Sequence, residues 1–230
     1  MVENVELSKK IKDLIWHIND IPKDRELNTL YVTDMTFCLR KSFFNIMFNA
    51  KTPRQWNMVL GSLLHEVCEK LIKDAIGAET EVECGYEFDG WRIVGRADLV
   101  TDDAVYDFKF VKYTENEDTL FEYSLQVNAY ATMLNKEKYY VIFVNVTNGD
   151  VKAYEFKQLD ALWQEFLDRA RVIIDAVESN GDKLPPRTKY QWMCRYCPYS
   201  FVCHRLDKTE VTLEDLHNVD YVITDENESE

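Results

Sequence analysis

Two short turns join three strand-like segments in the middle of this chain, and they constrain its fold more than any other feature. Asp89-Gly90 is a typical two-residue hairpin turn, and residues 101–103 (Thr-Asp-Asp) form a second cluster of turn residues. The flanking segments are rich in Val, Tyr and Phe, and they cover residues 79–88, 91–100 and 104–112. The sequence therefore predicts an antiparallel meander of three strands.

Helical and strand-like patterns alternate around this meander. Helical periodicity predicts five helices, one capped by Thr33 and another ended by Gly77. They cover residues 5–18, 34–49, 55–76, 118–135 and 160–179. Two further strands are predicted at 139–147 and 151–156, on either side of the turn Asn148-Gly149. This order of elements predicts an α/β fold in which helices flank a central mixed β-sheet.

Asp98, Asp107 and Lys109 are the charged residues of the meander that could form a catalytic site. Because side chains alternate along a strand, Asp107 and Lys109 share one face, while Phe108 and Phe110 take the other. Two carboxylates and an ammonium group that converge at the end of a hairpin form a hard-oxygen site for Mg²⁺ or Mn²⁺ with a cation beside it. Such a site is suited to phosphodiester hydrolysis. The alternative for these three residues alone is a solvated turn.

Two helical positions extend this candidate site. His65 lies on the apolar third helix, four residues after Gly61, and its imidazole could complete a His/Asp/Asp metal set. Gln126 and Tyr130 are spaced i and i+4, so they lie on one face of the following helix, where they could hold a phosphate or orient a water. The alternatives are a satisfied core histidine and an ordinary helix boundary.

Cysteines provide a second candidate site near the end of the chain. Three of them fall within ten residues, namely Cys194, Cys197 and Cys203. With His204 they could form a local zinc site. With Cys38 they could instead form a Cys₄ iron–sulfur cluster that ties the N-terminal helical part to this segment. The spacing does not choose the metal. Cys68 and Cys84 lie in a helix and a strand, where buried free thiols are expected.

The charge of the chain is concentrated at its end. Residues 207–230 carry nine acids against Lys208 alone, a net of −8, so only −6 of the total of −14 belongs to the other 206 residues. Overall acidity argues against tight, non-specific duplex binding but does not exclude a nuclease. The chain has no apolar run of 18 residues and no basic-then-apolar start. These absences predict a cytoplasmic protein without a membrane span.

Taken together, these residues resemble the CRISPR-associated Cas4 exonuclease family, a RecB-like branch of the PD-(D/E)xK nuclease superfamily. The family pattern appears here, in order, as Cys38, Gly61/His65, Gly95/Asp98, Asp107/Lys109, Gln126/Tyr130 and Cys194/Cys197/Cys203. Two positions depart from it. Leu39 stands where the family often has proline, and Asp107 stands where it frequently has glutamate, which is longer by one methylene.

The resemblance implies a restriction-endonuclease-like core and a metal-dependent DNA exonuclease that prefers single strands or frayed ends. It implies one RecB-like nuclease domain over 1–206, followed by an acidic tail over 207–230. Within that domain, residues of about 55–157 would form the nuclease core. Residues 1–54 and 158–206 would form the helical and cluster-binding region.

The resemblance also implies a role for each site residue. The implied ligands of Mg²⁺ or Mn²⁺ are His65, Asp98, Asp107 and the backbone carbonyl of Phe108. Lys109 would orient the attacking water or stabilise charge on the phosphate, and Gln126 and Tyr130 would position the strand. The implied cluster ligands, for 4Fe–4S rather than 2Fe–2S, are Cys38, Cys194, Cys197 and Cys203.

The partners implied are DNA, the Cas1/Cas2 integrase of CRISPR spacer acquisition, and a second copy of the chain in a homo-oligomer. Recombination or other DNA processing is the alternative setting. Two other classes of protein remain open from the sequence. One is a non-catalytic DNA- or protein-binding module stabilised by zinc or an iron–sulfur cluster. The other is a subunit of an integration complex whose acidic tail docks a basic partner.

Overall fold

The computed structural model describes residues 5–16, 25–48, 56–112 and 116–206. Its α-helices are α1 (Val5–Trp16), α2 (Leu39–Phe48), α3 (Trp56–Ile76), α4 (Glu117–Met133), α5 (Asp160–Glu178), α6 (Gln191–Cys194) and α7 (Ser200–Leu206). Its strands are β1 (Thr29–Tyr31), β2 (Glu79–Phe88), β3 (Trp91–Val100), β4 (Ala104–Val111), β5 (Lys138–Asn145) and β6 (Val151–Lys157). A 3₁₀ turn spans Val32–Met35. None of the described helices is long and apolar enough to cross a membrane.

The chain divides into two compact units. The first consists of the described residues of Met1–Thr36 and Pro53–Arg171, and it holds the whole sheet. The second consists of those of Phe37–Thr52 and Val172–Glu230, and it contains α2, α6 and α7.

The sheet of the first unit is mixed, as the order of elements predicted. Strand β2 pairs with β3 in antiparallel register along almost the whole of its length. Strands β4 and β5 are parallel, and β5 and β6 form an antiparallel hairpin. The predicted meander and the two later strands are therefore confirmed, with boundaries that differ by no more than two residues. The turns Asp89-Gly90 and Asn148-Gly149 use glycines with φ of +79°.

On the edge opposite β2, strand β3 pairs with two different strands, an arrangement that we call the fork of β3. At its start, Arg92–Val94 pairs with β1 in parallel, and at its end, Leu99 and Val100 pair with β4. Because β2 occupies one edge throughout, β1 and β4 must share the other edge at different heights. Residues 95–98 therefore lie where the two neighbouring strands diverge.

Local sequence explains where the helices next to the sheet begin and end. Helix α3 stops at Gly77, whose φ of +66° favours glycine, as predicted from the sequence. Helix α4 begins after Asn116, whose side chain accepts a hydrogen bond from the backbone N–H of Thr119 at 2.9 Å. Helix α4 packs against β4 and β5. All of its residues from 124 to 131 are buried, so this part of the helix is buried around its whole circumference.

The structure corrects one sequence prediction and adds elements that the sequence did not predict. The single helix expected over 34–49 is wrong, because Phe37 adopts φ of +59° and separates the 3₁₀ turn from α2. Strand β1 was not predicted, since three residues carry too little pattern. The cysteine-rich segment forms two short helices, α6 and α7. The predicted acidic tail over 207–230 lies outside the described residues, as do residues 17–18, 49 and 55 at predicted helix ends.

Candidate functional site

The fork in β3 places Asp98 beside β4. Its Oδ2 accepts a hydrogen bond from the backbone N–H of Phe108 at 2.9 Å. Asp107 immediately precedes Phe108 in the sequence, and its residue surface is only 2% exposed. The Asp98 side chain therefore bonds to β4 at the residue after Asp107, and this contact brings the two predicted acids near each other. This contact lies next to the β3–β4 ladder, in which only Leu99 and Val100 of β3 pair with β4.

Lys109 joins these acids to helix α4. Its Nζ lies 2.6 Å from Asp107 Oδ2 and donates a hydrogen bond to Gln126 Oε1 at 3.2 Å. The same ammonium lies 4.8 Å from the centre of the Tyr123 ring, a cation–π contact. Burial opposes a charged amine, but the carboxylates of Asp107 and Asp98 outweigh it and raise the pKa of Lys109. Lys109 is therefore a cation in this site.

Gln126 and Tyr130 extend this chain of contacts along one face of α4, as their spacing predicted. Gln126 Nε2 donates to the Tyr130 hydroxyl at 3.1 Å. Burial raises the pKa of Tyr130, so its phenol stays neutral. Gly95 lets the ring lie against β3, because a Cβ built there would stand 2.5 Å from Tyr130 Cε1. The predicted motif Gly-x2-Asp therefore provides both a carboxylate and a space for the tyrosine.

His65 approaches the acids from helix α3. Its Nδ1 lies 3.2 Å from Asp98 Oδ2, and its ring contacts Phe110 edge-on with ring centres 4.9 Å apart. Burial works against an imidazolium, yet the hydrogen bond and charge of Asp98 raise the pKa of His65 overall. The pKa of Asp98 is lowered despite its burial, because His65 bonds to it and Lys109 lies nearby.

Asp107 is a buried carboxyl group that pairs with the ammonium of Lys109. Burial raises its pKa to about 6, although Lys109 acts in the opposite direction. Its buried Oδ2 contacts the Lys109 ammonium at 2.6 Å. Carboxylate oxygens and an imidazole are suitable ligands for Mg²⁺ or Mn²⁺. The residues present therefore fit a divalent cation.

One acidic residue of the site was missed by the sequence reasoning. Glu69 lies one helical turn after His65, and its Oε1 is 3.9 Å from His65 Nδ1. Burial, with the charges of Glu81 and Asp98, raises the pKa of Glu69 to about 7. The i,i+4 spacing from His65 was the available signal. Glu66, which directly follows His65 in the sequence, instead pairs with Lys70 at 2.6 Å.

Comparison with known proteins identifies the family that this geometry suits. Residues 47–204 match the family model of the PD-(D/E)XK nuclease superfamily. The chain belongs to this superfamily. Nucleases of the superfamily use divalent metals, in agreement with the acidic site described above.

Similar proteins extend the comparison across most of the chain. A CRISPR-associated exonuclease Cas4 of Saccharolobus solfataricus is 28% identical over 88% of this chain and 98% of its own. The crystal structure of SSO0001 superposes with a TM-score of 0.66 at 24% identity, over 86% of this chain and 96% of its own. A putative exonuclease from Eubacterium rectale gives a TM-score of 0.55 at 13% identity, over 83% and 93% of the two chains. The recognised resemblance and the predicted α/β fold are thereby confirmed.

The second unit of this PD-(D/E)XK protein brings the four predicted cysteines around one cavity. Cys38, Cys194, Cys197 and Cys203 all line it, together with His204. Arg40 supports its wall by donating to the carbonyl of Pro185 at 2.7 Å and to Cys203 Sγ at 3.7 Å. Burial raises the pKa of Cys197. Burial therefore favours the protonated thiol of Cys197, and a metal would have to displace that proton to bind the sulfur.

The spacing of these sulfurs bears on the two metal centres that the sequence left open. Four sulfurs around one tetrahedral Zn²⁺, with bonds of about 2.3 Å, lie roughly 3.8 Å apart. Among the described residues, the group of three or more such ligands that falls within 4.8 Å is His65, Glu69 and Asp98, and it includes no cysteine. The cysteines thus surround a common space but stand wider apart than a single zinc ion requires.

Proposed function

We propose that this protein is a Mg²⁺- or Mn²⁺-dependent DNA exonuclease that acts on single strands or frayed ends. Superfamily membership supports a nuclease, a hydrolase that acts on DNA. The observation that carries the proposal is the buried contact of Lys109 with Asp107 and Gln126, next to the Asp98–His65 pair. His65, Glu69 and Asp98 line an open groove between α3 and the sheet. These carboxylates, with the charged Lys109 nearby, suit phosphodiester hydrolysis better than a structural role.

In the proposed mechanism, His65, Asp98, Asp107 and the backbone carbonyl of Phe108 hold the cation. When bound, the cation polarises the scissile phosphate and lowers the pKa of a coordinated water. Lys109 orients that water and stabilises the charge that develops on the phosphate. Gln126 fixes the position of the Lys109 ammonium, and Tyr130 fixes Gln126. The neutral Tyr130 therefore acts through its hydrogen bond rather than as a base.

Replacement of Lys109 by alanine tests this function. We expect Lys109→Ala to lower the rate of Mn²⁺-dependent cleavage of labelled single-stranded DNA by about 10²-fold or more, because the stabilising ammonium is lost. Lys138→Ala is the matched control, since Lys138 pairs with the exposed Asp103 on the same sheet. Circular dichroism should show both variants folded. Full activity in Lys109→Ala would refute the assignment.

We further propose that Cys38, Cys194, Cys197 and Cys203 hold a structural 4Fe–4S cluster. Their shared cavity and the wide separation of their sulfurs support a cluster over a single zinc ion. Anaerobic purification followed by iron, sulfide and zinc analysis distinguishes the two. Zinc without iron or sulfide, together with no Mn²⁺-dependent products, would instead support a non-catalytic binding module.

The biological setting proposed is CRISPR spacer acquisition beside the Cas1/Cas2 integrase, and similarity to a CRISPR-associated exonuclease Cas4 supports it. Association with that integrase, self-association and a cytoplasmic location stay predictions. Co-purification of the tagged protein with Cas1 and Cas2 from the same genome tests the first of them. Processing of recombining DNA is the alternative setting if the proteins do not associate.

A further inference from the structure

Glu69 lies in the groove of the proposed metal site but has no role in the mechanism above. The residue is 5% exposed, and its Oε1 is buried without a hydrogen-bond partner among the described residues. A buried carboxylate that lacks a donor costs several kcal/mol unless a cation compensates it. Burial raises the pKa of Glu69 to about 7, so the described residues around it do not fully stabilise its ionised form, and a bound cation would.

Burial raises the pKa of Glu69 more than the charges of His65 and Arg96 lower it, so the neighbouring cations compensate this carboxylate only in part. Arg96 lines the same groove but forms an ion pair with Glu81. Lys70 lines it as well and pairs with Glu66. His65 is 3.9 Å from Glu69, whereas it lies 3.2 Å from Asp98, which competes for the same Nδ1. Arg96, Lys70 and His65 thus each contact another carboxylate, and Lys73, one helical turn after Glu69, lines the groove as well.

One imidazole nitrogen and two carboxylate oxygens converge in this groove. One atom each from His65, Glu69 and Asp98 lies within 4.8 Å of the others. Around an octahedral Mg²⁺ with bonds of about 2.1 Å, ligand atoms lie roughly 3 to 4.2 Å apart. Shifts of less than about 1 Å would therefore bring the three atoms onto one ion. Because His65 and Glu69 are i and i+4 on α3, both reach the groove from a single rigid helix.

We propose that Glu69 is a further ligand of the divalent cation, which it holds together with His65 and Asp98. This inference rests on the proposed function, since it concerns the same cation. It assigns to α3 two of the ligands and places the cation between that helix and the fork of β3. Asp107 then divides its charge between the cation and Lys109, the contact that the structure contains.

The test measures Mn²⁺ binding itself, by electron paramagnetic resonance of free Mn²⁺ during titration of the anaerobically purified, full-length protein. We expect Glu69→Gln to weaken Mn²⁺ binding by about 10-fold or more. Glu66→Gln is the matched control on the same helix and should change affinity by less than about 2-fold. Thermal unfolding without Mn²⁺ reports whether each variant folds, and Glu69→Ala replaces Glu69→Gln if the amide does not.

A double-mutant cycle separates direct binding from an effect through His65. If Glu69 only orients His65, then Glu69→Gln causes no further loss in a His65→Ala background. An additional loss of affinity in that background supports direct ligation. Unchanged Mn²⁺ affinity in Glu69→Gln, with Asp98→Asn still impaired, overturns this inference alone. If Asp98→Asn also binds Mn²⁺ normally, the proposed function itself fails.

Discussion

At the scale of single residues, Gly95 determines how closely the polar chain of α4 approaches β3. A Cβ at this position would stand 2.5 Å from Tyr130 Cε1 and 2.7 Å from Val32 Cγ2. The ring cannot easily retreat, because its hydroxyl accepts a hydrogen bond from Gln126, which holds Lys109. The absence of one side chain therefore supports the position of the ammonium group.

We expect Gly95→Ala to destabilise the protein by about 1–3 kcal/mol, because the added methyl overpacks against Tyr130 and Val32. Urea unfolding followed by circular dichroism measures this change. Gly61→Ala is a matched control, since a Cβ there meets nothing within 4 Å and alanine favours the helix. Gly61→Ala should leave stability unchanged or raise it by up to about 1 kcal/mol. Equal stability of Gly95→Ala and wild type would contradict the close approach.

At the scale of elements, helix α4 is fixed to the start of α5 by one buried side chain. Asn128 is 0% exposed and donates to the carbonyl of Leu159 at 3.1 Å. Its Oδ1 accepts from the backbone N–H of the same residue at 2.8 Å. A buried asparagine that satisfies both backbone groups of one residue sets the position of α4 along its axis. Gln126, two residues earlier, depends on that position.

Replacement of Asn128 by alanine should cost about 1–3 kcal/mol of unfolding free energy, because the two backbone groups of Leu159 lose their partners in a dry environment. Asn148→Ala provides the comparison, since the Asn148 side chain bonds to exposed Asp150 in a surface turn. We expect that variant to stay within about 0.5 kcal/mol of wild type. Urea unfolding again provides the free energies. A similar cost for both substitutions would argue against this anchoring role.

At the scale of the whole molecule, the chain forms two compact units, each with its own candidate centre. The acidic site belongs to the unit that holds the sheet, and the cysteine cavity belongs to the unit that holds α2, α6 and α7. Cys38 is separated from the other three cysteines by more than 150 residues of sequence. A cluster that bonds Cys38 to the other three cysteines would close a long loop of sequence. It would stabilise the fold because it restricts the conformations of the unfolded chain.

Loss of one cluster ligand tests this role. We expect Cys203→Ala to lose most of its iron and sulfide and its visible absorption, and to lower the Tm by about 5 °C or more. Cys68→Ala is the control, because Cys68 lies on α3 outside the cavity and should retain the cluster. Metal analysis and thermal unfolding are measured on protein purified without oxygen. Iron content that is unchanged in Cys203→Ala would exclude this cysteine as a ligand.

Local sequence determined the secondary structure because its signals act over a few residues. Turns such as Asp89-Gly90 and the glycine cap at Gly77 depend on backbone conformations that few other residues adopt, so their positions could be read directly. The pairing of Asp107 with Lys109 on one face followed from strand alternation alone. The helix predicted over 34–49 was wrong because Phe37 adopts a conformation that is uncommon for a bulky residue.

The sequence by itself determined which residues share a face: Gln126 with Tyr130, and Asp107 with Lys109. Only the tertiary structure decided what each face meets. It placed Lys109 within hydrogen-bond distance of Gln126 and Asp98 within hydrogen-bond distance of the Phe108 amide. It also placed the carboxylate of Glu69, and not that of Glu66, next to His65. The physical reason is that periodicity fixes directions around one helix or strand. The distance between two elements depends instead on how side chains far apart in the sequence pack together.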